Sequence, residues 1–275
     1  MTIYHASSLF TGDEFLSDVY FSVDNGVFKR VEANANAVAL TGLVAPGFID
    51  VQVNGGGGAF FNAEQTPDCL DRIAKAHGQF GSTAIMPTLI TDQVEVMAKA
   101  ADATAQAIAE GVPGVMGVHF EGPHLSLPKK GTHSEQFIRP ITEQEFAIYA
   151  RQDLGIKMVT LAPENVSADD IARLVECGVK VSIGHTNADF ATTNAALAAG
   201  ADGFTHLFNA MSAFTSREPG VVGAALWDDN SWCGLIVDGH HVHPSSAKLA
   251  IRSKQRGKIM LVTDAMPPVG TDDME

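Results

Sequence analysis

The sequence has few cysteines, and they are widely separated. Cys69, Cys177 and Cys233 are odd in number, and no Cys-x-x-Cys motif is present. This pattern argues against a disulfide framework and against a cysteine-based metal or redox site. It predicts buried free thiols in a reducing compartment, so the expected location is the cytoplasm.

Positive charge and long hydrophobic runs are also scarce. The 18 Lys and Arg residues stand against 32 Asp and Glu, which gives a formal net charge of −14. Because no basic stripe offsets this charge, we expect neither a nucleic-acid partner nor an anionic membrane partner. An anionic small molecule remains compatible, since it needs only a few local donors. The N-terminal residues lack a basic segment followed by an apolar one, and no apolar stretch is long enough to span a bilayer.

Two different hydrophobic patterns divide the chain. Residues 1–45 alternate polar and apolar side chains between turn residues, and Asn25-Gly26 is a strong signal for a tight turn between two strands. We therefore expect a small antiparallel β domain in this segment. From residue 46 onward, short apolar runs alternate with helical patterns. With 45% hydrophobic residues in 275, residues 46–275 can bury one large core.

Eight apolar runs in the second part predict the strands of a parallel sheet. They are residues 47–53, 83–89, 114–120, 156–162, 180–185, 203–208, 233–239 and 258–264. Helical patterns cover residues 92–110, 188–199 and 245–255, whereas residues 208–232 are rich in glycine and proline and are expected to be a loop. Buried strands that alternate with helices favour a closed (β/α)₈ barrel of the TIM type. An open nucleotide-binding sheet is the alternative, but no GxGxxG motif links a strand to a helix.

Four polar residues stand at the ends of predicted strands. They are Glu121, His185, His206 and Asp264. Two imidazoles and a carboxylate suit a divalent cation, and a further carboxylate suits proton transfer. A single buried histidine is more often a hydrogen-bonded core residue, and Asp264 could instead cap a helix. Because the active sites of such barrels lie at the carboxyl ends of the strands, the combination favours a metallohydrolase.

Nine stretches that span the chain in order carry a closer resemblance. They are PGFIDVQVNG (46–55), HFEGPHL (119–125), KKGTH (129–133), TLAPE (160–164), IGHTNA (183–188), THLFNAM (205–211), REPG (217–220), DGHHV (238–242) and LVTDAM (261–266). With them the chain resembles the amidohydrolase superfamily, and within it the N-acetylglucosamine-6-phosphate deacetylases. The resemblance implies hydrolysis of N-acetyl-D-glucosamine 6-phosphate to D-glucosamine 6-phosphate and acetate.

The resemblance also implies which residues form the site. Glu121, His185 and His206 would bind one divalent ion, with zinc first and iron, nickel and cobalt as alternatives. Asp264 would shuttle the proton, and His133 or His241 would help to stabilise the oxyanion.

The first strand departs from the superfamily pattern. The usual His-x-His pair is replaced by Gln52 and Asn54, which are possible remnants of a second metal site. Neutral amides are poor ligands for zinc-like ions, so we expect a single metal ion per chain.

A phosphate site and a partner subunit follow from the same resemblance. The phosphate would be bound by the backbone of Asn209 and Ala210 and by Arg217, whose guanidinium suits a phosphate group. In this family the arginine is expected to reach across from a neighbouring subunit, so a homodimer is implied.

Other functions remain open at this stage. One alternative is another amidohydrolase reaction, such as cyclic-amide hydrolysis or deamination, and another is a non-catalytic protein that binds metal and sugar phosphate. Relatives are expected to continue beyond the eighth strand with a helix and with strands that pair with residues 1–45. We therefore expect the 275-residue chain to be a C-terminally truncated form, whose activity the sequence does not decide.

Overall fold

The computed structural model describes residues 2–272, which form two compact units with a boundary between Phe48 and Ile49. The strands in this range are β1 (Ile3–Phe10), β2 (Phe15–Asp24), β3 (Val27–Arg30), β4 (Val38–Val44), β5 (Phe48–Val53), β6 (Gly55–Gly56), β7 (Ala59–Phe60), β8 (Ser82–Ile90), β9 (Gly117–Glu121), β10 (Ile156–Leu161), β11 (Val179–Ile183), β12 (Gly203–Phe204), β13 (Trp232–Leu235) and β14 (Ile259–Leu261). The helices in this range are α1 (Pro67–Gly78), α2 (Val94–Glu110), α3 (Glu143–Tyr149), α4 (Ala168–Glu176), α5 (Phe190–Ala198), α6 (Gly220–Trp227) and α7 (Pro244–Ser253).

The first unit is a four-stranded sheet with the order β3-β2-β1-β4. Strands β1, β2 and β3 pair antiparallel as expected, and β4 joins as a strand parallel to β1. The predicted Asn25-Gly26 turn connects β2 to β3, with both residues at positive φ (49° and 76°). A type I′ hairpin turn requires positive φ at both of its central residues, which Asn-Gly adopts at low cost. A small core of Ala6, Leu9, Val19 and Phe21 holds this sheet together.

The second unit contains an eight-stranded sheet with the order β14-β13-β12-β11-β10-β9-β8-β5. Its registers from β8 to β14 are parallel. The two edges of the sheet meet just past the strand ends, where Val53 and Ala265 form a parallel bridge. There the amide of Asp264 donates to the carbonyl of Gln52 at 3.0 Å, and that of Asn54 donates to the carbonyl of Ala265 at 2.9 Å. The expected (β/α)₈ TIM-type barrel is therefore confirmed.

Two helices begin at residue types that favour a helix start. Ser167 caps α4 by accepting a hydrogen bond from the amide of Asp170 at 3.1 Å. Pro244 is the first residue of α7, where its missing N–H costs nothing. Within residues 2–272, no helix is both long and apolar enough to cross a membrane.

The prediction that residues 208–232 form a loop was wrong for part of this segment. Helix α6 lies within it, directly after Pro219, and its residues from Gly220 to Ala225 are all buried. A helix that is apolar on every side shows no 3.6-residue periodicity, so its pattern does not distinguish it from an irregular apolar segment.

The barrel interior is polar near the middle of its strands. His119 on β9 lies between two threonine hydroxyls, with its Nδ1 3.2 Å from Oγ1 of Thr88 and its Nε2 2.7 Å from Oγ1 of Thr160. Burial lowers the pKa of His119 to about 4, so its ring is neutral at physiological pH. Because both of its ring nitrogens are hydrogen-bonded, His119 is a satisfied core residue that supports the strand carrying Glu121.

Candidate metal centre and active site

Three polar side chains from separate strand ends meet in one buried cluster. Glu121 is the last residue of β9, His185 follows β11, and His206 follows β12. One ligand atom from each of the three lies within 4.8 Å of the others. The structure therefore brings together the three residues that their strand-end positions singled out.

The spacing of these atoms fits a shared cation. The Oε1 atom of Glu121 lies 3.2 Å from Nε2 of His185 and 3.1 Å from Nε2 of His206, and the two Nε2 atoms are 3.0 Å apart. Tetrahedral binding with bonds of about 2.0–2.1 Å would separate nitrogen and oxygen ligands by about 3.3 Å. In addition, Nδ1 of His206 is buried without a partner among the described residues, so the existing hydrogen bonds do not account for both nitrogens of this ring. The group could bind a metal ion.

The contact made by Nδ1 of His185 decides which nitrogen of this ring carries the proton. Nδ1 of His185 lies 2.8 Å from the carbonyl oxygen of Lys129. A carbonyl can only accept, so Nδ1 must donate its proton to it. In the neutral ring, Nε2 then carries the lone pair that faces Glu121 and His206. This arrangement is typical of metal-binding histidines.

Opposed pKa shifts show how charge is distributed when no cation is bound. Burial alone would raise the pKa of Glu121, but the contacts of its carboxylate with the imidazoles of His185 and His206 outweigh burial and hold the pKa well below its usual range. Burial would lower the pKa of His206, but its hydrogen bond to Glu121 and the charge of that carboxylate raise it instead. Glu121 is therefore ionised, and a proton shared with His206 compensates its charge. A divalent cation would replace this proton.

The backbone is strained at three site residues. His185, His206 and Asp264 have φ values of 47°, 33° and 52°. The left-handed region costs residues with a Cβ atom roughly 1–2 kcal/mol each. Such outliers persist where the surrounding structure holds them, and they concentrate at functional sites.

Asp264 has one oxygen fixed and one free. Nδ2 of Asn54 donates to Oδ1 of Asp264 at 2.7 Å. Within residues 2–272, Oδ2 of Asp264 makes no hydrogen bond. Burial and the negative charge of Glu121 raise the pKa of Asp264 to about 6, against the opposing effects of His206 and of the hydrogen bond from Asn54. A carboxyl with such a pKa exchanges protons readily near neutral pH.

The two amides of the first barrel strand act as hydrogen-bond donors to site carboxylates. Nε2 of Gln52 donates to Oε1 of Glu121 at 3.1 Å, in parallel with the contact of Asn54 to Asp264. Gln52 and Asn54 are 1% and 3% exposed. The interpretation of these residues as remnants of a second metal site stays a prediction, but each now has a definite contact.

His133 borders the cluster with a defined donor nitrogen. Its ring centroid lies 4.4 Å from that of His185. The amide and hydroxyl of Thr91 both contact Nδ1 of His133, at 3.3 and 2.8 Å. Because a backbone N–H can only donate, Nδ1 is the acceptor and Nε2 carries the proton. Burial lowers the pKa of His133 to about 4, so the ring is neutral and can donate one hydrogen bond.

His241 is placed differently. It is exposed, and its Nδ1 lies 2.6 Å from Oδ2 of Asp238. Hydrogen bonds from the backbone and the ring of His241 hold the pKa of Asp238 well below its usual value. Among the described residues, the hydrogen bonds of His241 are to Asp238 alone, so the structure does not join His241 to the metal cluster.

The predicted phosphate-binding residues lie on the segment after His206. The amide of Asn209 donates to the carbonyl of His206 at 3.0 Å and is therefore engaged. Ala210 has a φ of 49°, and its amide makes no hydrogen bond within residues 2–272. Arg217 is exposed, and the part of the chain that the structure describes offers its guanidinium no hydrogen bond or ion pair. Among the described residues, no hydrogen bond or ion pair joins Arg217 to the cluster.

The sequence analysis did not identify two supporting contacts. One is the carbonyl of Lys129, which accepts from His185, and the other is Thr91, which fixes the protonated nitrogen of His133. A backbone carbonyl carries no residue signature. The position of Thr91 directly after the second barrel strand was the only available indication.

The chain is similar to known proteins in both sequence and structure. A model described as "Amidohydrolase family" matches residues 43–269. An N-acetylgalactosamine-6-phosphate deacetylase of Shewanella sp. (strain ANA-3) is 56% identical over 235 residues, which are 86% of this chain and 60% of the relative. The N-acetylglucosamine-6-phosphate deacetylase of Bos taurus is 38% identical over 83% of this chain and 58% of its own length.

A solved structure is similar over nearly the whole chain. The crystal structure of N-acetylglucosamine-6-phosphate deacetylase from Pasteurella multocida has a TM-score of 0.89 and 34% sequence identity, and the match covers 98% of this chain and 73% of that one. The chain thus spans about three fifths of the Shewanella and Bos taurus relatives and nearly three quarters of the Pasteurella one.

Proposed function

Because the chain belongs to the amidohydrolase family, we propose that residues 46–275 form a metal-dependent deacetylase that hydrolyses the acetamide of N-acetyl-D-glucosamine 6-phosphate. The products are D-glucosamine 6-phosphate and acetate, which fits a role in amino-sugar catabolism or recycling. The observation that carries this proposal is the buried group Glu121, His185 and His206, together with Asp264, whose pKa is raised by burial and by the negative charge of Glu121.

The three clustered residues are proposed to hold one divalent ion. A carboxylate and two imidazoles suit zinc first, and iron, nickel and cobalt also accept this donor set. When bound, such an ion polarises a carbonyl and lowers the pKa of a water molecule to about 7. Gln52 and Asn54 supply only neutral amides, which supports a single ion per chain.

Asp264 is proposed to move the proton. Its free Oδ2 accepts a proton from the attacking water and then donates it to the nitrogen of the departing amine. The amine must leave protonated, since an amide anion is too basic to depart. A pKa raised to about 6 by burial keeps Asp264 able to perform both transfers near neutral pH.

His133 is proposed to stabilise the developing oxyanion. Its protonated Nε2 is the only donor of the neutral ring, because Nδ1 accepts from Thr91. Donation to the acetamide oxygen strengthens as negative charge develops there. His241 remains the second candidate for this contact, and its exposed position beside Asp238 means that it would have to turn toward bound substrate.

The phosphate is proposed to bind at Ala210, Asn209 and Arg217. The amide of Ala210, which makes no hydrogen bond within residues 2–272, offers a backbone donor, and an arginine can bind phosphate through two parallel hydrogen bonds. Since Arg217 is exposed without a partner in the described part of its own chain, it is available to a neighbouring copy. We therefore propose a homodimer in which Arg217 completes the site of the other subunit.

The Shewanella relative supports a second candidate substrate, N-acetyl-D-galactosamine 6-phosphate. That relative is 56% identical, whereas the Bos taurus enzyme named for the gluco epimer is 38% identical. Both reactions would break the C–N bond of the acetamide, and the same residues are proposed to act in both. The free cysteines Cys69, Cys177 and Cys233 and a phosphorylated substrate together support a cytoplasmic location.

Acetate release from four sugars tests the proposal. The zinc-loaded protein should release acetate from N-acetylglucosamine 6-phosphate, from its galactosamine epimer, or from both, and much more slowly from either unphosphorylated sugar. The ratio of kcat/KM for the two phosphates assigns the epimer. Acetate release from neither phosphate, together with turnover of a cyclic amide or of an aminopyrimidine, would favour another amidohydrolase reaction.

A further inference from the structure

Two side-chain amides on one face of the first barrel strand each contact a different carboxylate of the site. Gln52 lies in β5, Asn54 directly follows this strand, and both side chains are buried. Gln52 donates to Glu121, and Asn54 donates to Asp264. We propose that these amides are positioning residues with separate tasks: Gln52 orients Glu121 for metal binding, and Asn54 orients Asp264 for proton transfer. The second task rests on the proposed function of Asp264.

The contact of Asn54 fixes both torsions of the Asp264 side chain. Nδ2 of Asn54 donates to Oδ1 of Asp264 at 2.7 Å and also approaches the main-chain oxygen of Asp264 at 3.3 Å. Because one NH₂ group contacts both the carboxylate oxygen and the main-chain oxygen of Asp264, it holds the carboxylate in a fixed orientation relative to the Asp264 backbone. The orientation of the amide follows as well, because the flipped amide would place its oxygen against two acceptors.

Among the described residues, the consequence for Asp264 is that Oδ1 is held and Oδ2 has no hydrogen bond. The strained φ of 52° and the hydrogen bond from the amide of Asp264 to Gln52 at 3.0 Å fix the backbone. With the backbone and Oδ1 both held, Oδ2 points in one direction. An isolated aspartate side chain would instead sample several rotamers.

The contact of Gln52 concerns the metal ligand. Oε1 of Glu121 accepts from Gln52 at 3.1 Å and faces the two histidines at 3.2 and 3.1 Å. Donors that contact ligating carboxylates orient them, and loss of such a contact typically weakens metal binding by about 10- to 100-fold. Gln52 does not contact Asp264 through its side chain, so its effect is expected on metal affinity.

The first experiment measures zinc affinity by competition with a chelator. Gln52→Met should weaken zinc binding by about 10- to 100-fold, whereas Asn54→Leu should leave it within about 2-fold of the unchanged protein. Gln106→Met is the matched control, since Nε2 of Gln106 donates to Oε1 of Glu110 at 2.8 Å on the exposed surface of α2. It should leave zinc affinity unchanged.

The second experiment measures turnover of the zinc-loaded protein and the crystal structure of Asn54→Leu. The kcat should fall by about 10- to 100-fold with little change in KM, since only the orientation of the proton-transfer group is lost. The crystal structure should show Asp264 in a new rotamer or in several rotamers. Asn194→Leu is the matched control, because its amide donates to the carbonyl of Phe190 within α5 and not to a residue of the site.

The outcomes separate this proposal from the proposed function. If the unchanged protein releases no acetate from either sugar phosphate, the proposed function fails, and the zinc affinities and the rotamer of Asp264 still decide the positioning roles. Equal loss of zinc affinity in both variants, or an unmoved Asp264 in Asn54→Leu, would overturn the proposal. If either variant fails to fold, Asn54→Ser and Gln52→Ala remove the amides without adding bulk, and the same measurements apply.

Discussion

At the scale of single residues, Glu121 and Asp264 show how burial gives two carboxylates opposite properties. Both lie in a poorly solvated site, which raises the pKa of any carboxyl group. Two imidazoles beside Glu121 reverse this effect, whereas Asp264 has one amide donor and keeps a pKa of about 6. Glu121 is thereby suited to bind a cation permanently, and Asp264 is suited to gain and lose a proton.

Replacement of Asp264 by asparagine should separate binding from proton transfer. The side chain keeps its size, so metal content and KM should stay close to those of the unchanged protein. Turnover should fall by on the order of 10²–10⁴, the usual contribution of a positioned acid–base group. Steady-state kinetics and elemental analysis of the same preparation check this. Near-normal turnover would show that Asp264 has only a structural role.

The affinity of the metal-free protein for zinc should decrease as the pH is lowered. The pKa of His206 is raised by Glu121, so below that pKa the ring carries a proton that zinc must displace. Each displaced proton costs about tenfold in affinity per pH unit. Above the pKa of His206 the affinity should level off. Calorimetry in two buffers of different ionisation enthalpy counts the released protons, and zero released protons near pH 6 would contradict this assignment.

At the scale of strands, helices and loops, the site depends on where elements end. Glu121 lies at the end of β9, and His185, His206 and Asp264 follow the ends of β11, β12 and β14. Parallel strands in a barrel have all of their carboxyl ends on one side, so residues far apart in sequence converge there. The helices outside the barrel must hold those strands in register.

Lys157 provides a test of how helices are held to the barrel. Its Nζ donates to the carbonyls of Tyr149, Arg151 and Cys177, each at 2.7 Å, and the residue is 4% exposed. Lys157→Met leaves these carbonyls without a donor and should lower the free energy of unfolding by about 2–4 kcal/mol. Thermal and urea unfolding measure it. The control Lys180→Met removes an exposed ion pair with Asp202 and should cost less than about 1 kcal/mol.

The loop that carries Arg217 should determine recognition of the phosphate. Arg217→Ala should raise the KM for the phosphorylated sugar strongly and change the kinetics of the unphosphorylated sugar little, because a charge-assisted contact is lost only when phosphate is present. Since Arg217 has no ion pair in the described part of the chain, Tm should be unchanged. Equal effects on both sugars would rule out phosphate binding by this residue.

At the scale of the whole molecule, the buried metal site should link ion binding to stability. Zinc that binds only the folded chain at about 1,000 times its Kd adds about 4 kcal/mol of stability. Removal of the ion should therefore lower Tm, and re-addition of one equivalent of zinc should restore it. Elemental analysis after dialysis should give one ion per chain. Two firmly bound ions per chain would show that Gln52 and Asn54 do not prevent a second metal ion from binding.

The sequence by itself determined the barrel and the chemistry at its strand ends. Eight apolar runs separated by helical patterns are a local signal, and so is a glutamate or histidine at the end of a run. Strand direction determines the end of the barrel at which these residues lie. Glu121, His185, His206 and Asp264 could therefore be grouped from the sequence alone. The sequence did not predict helix α6, because its residues from Gly220 to Ala225 are all buried and show no helical alternation of polar and apolar positions.

Only the tertiary structure decided how these residues are held. Asn54 and Asp264 are 210 positions apart and meet because the first and last barrel strands close on each other. The protonated nitrogens of His185 and His133 depend on contacts with the carbonyl of Lys129 and the amide of Thr91, which are backbone groups without any sequence signature. Periodicity reports which face of a strand a residue occupies. Hydrogen-bond partners across the barrel depend on its closure and on the local backbone, which periodicity does not encode.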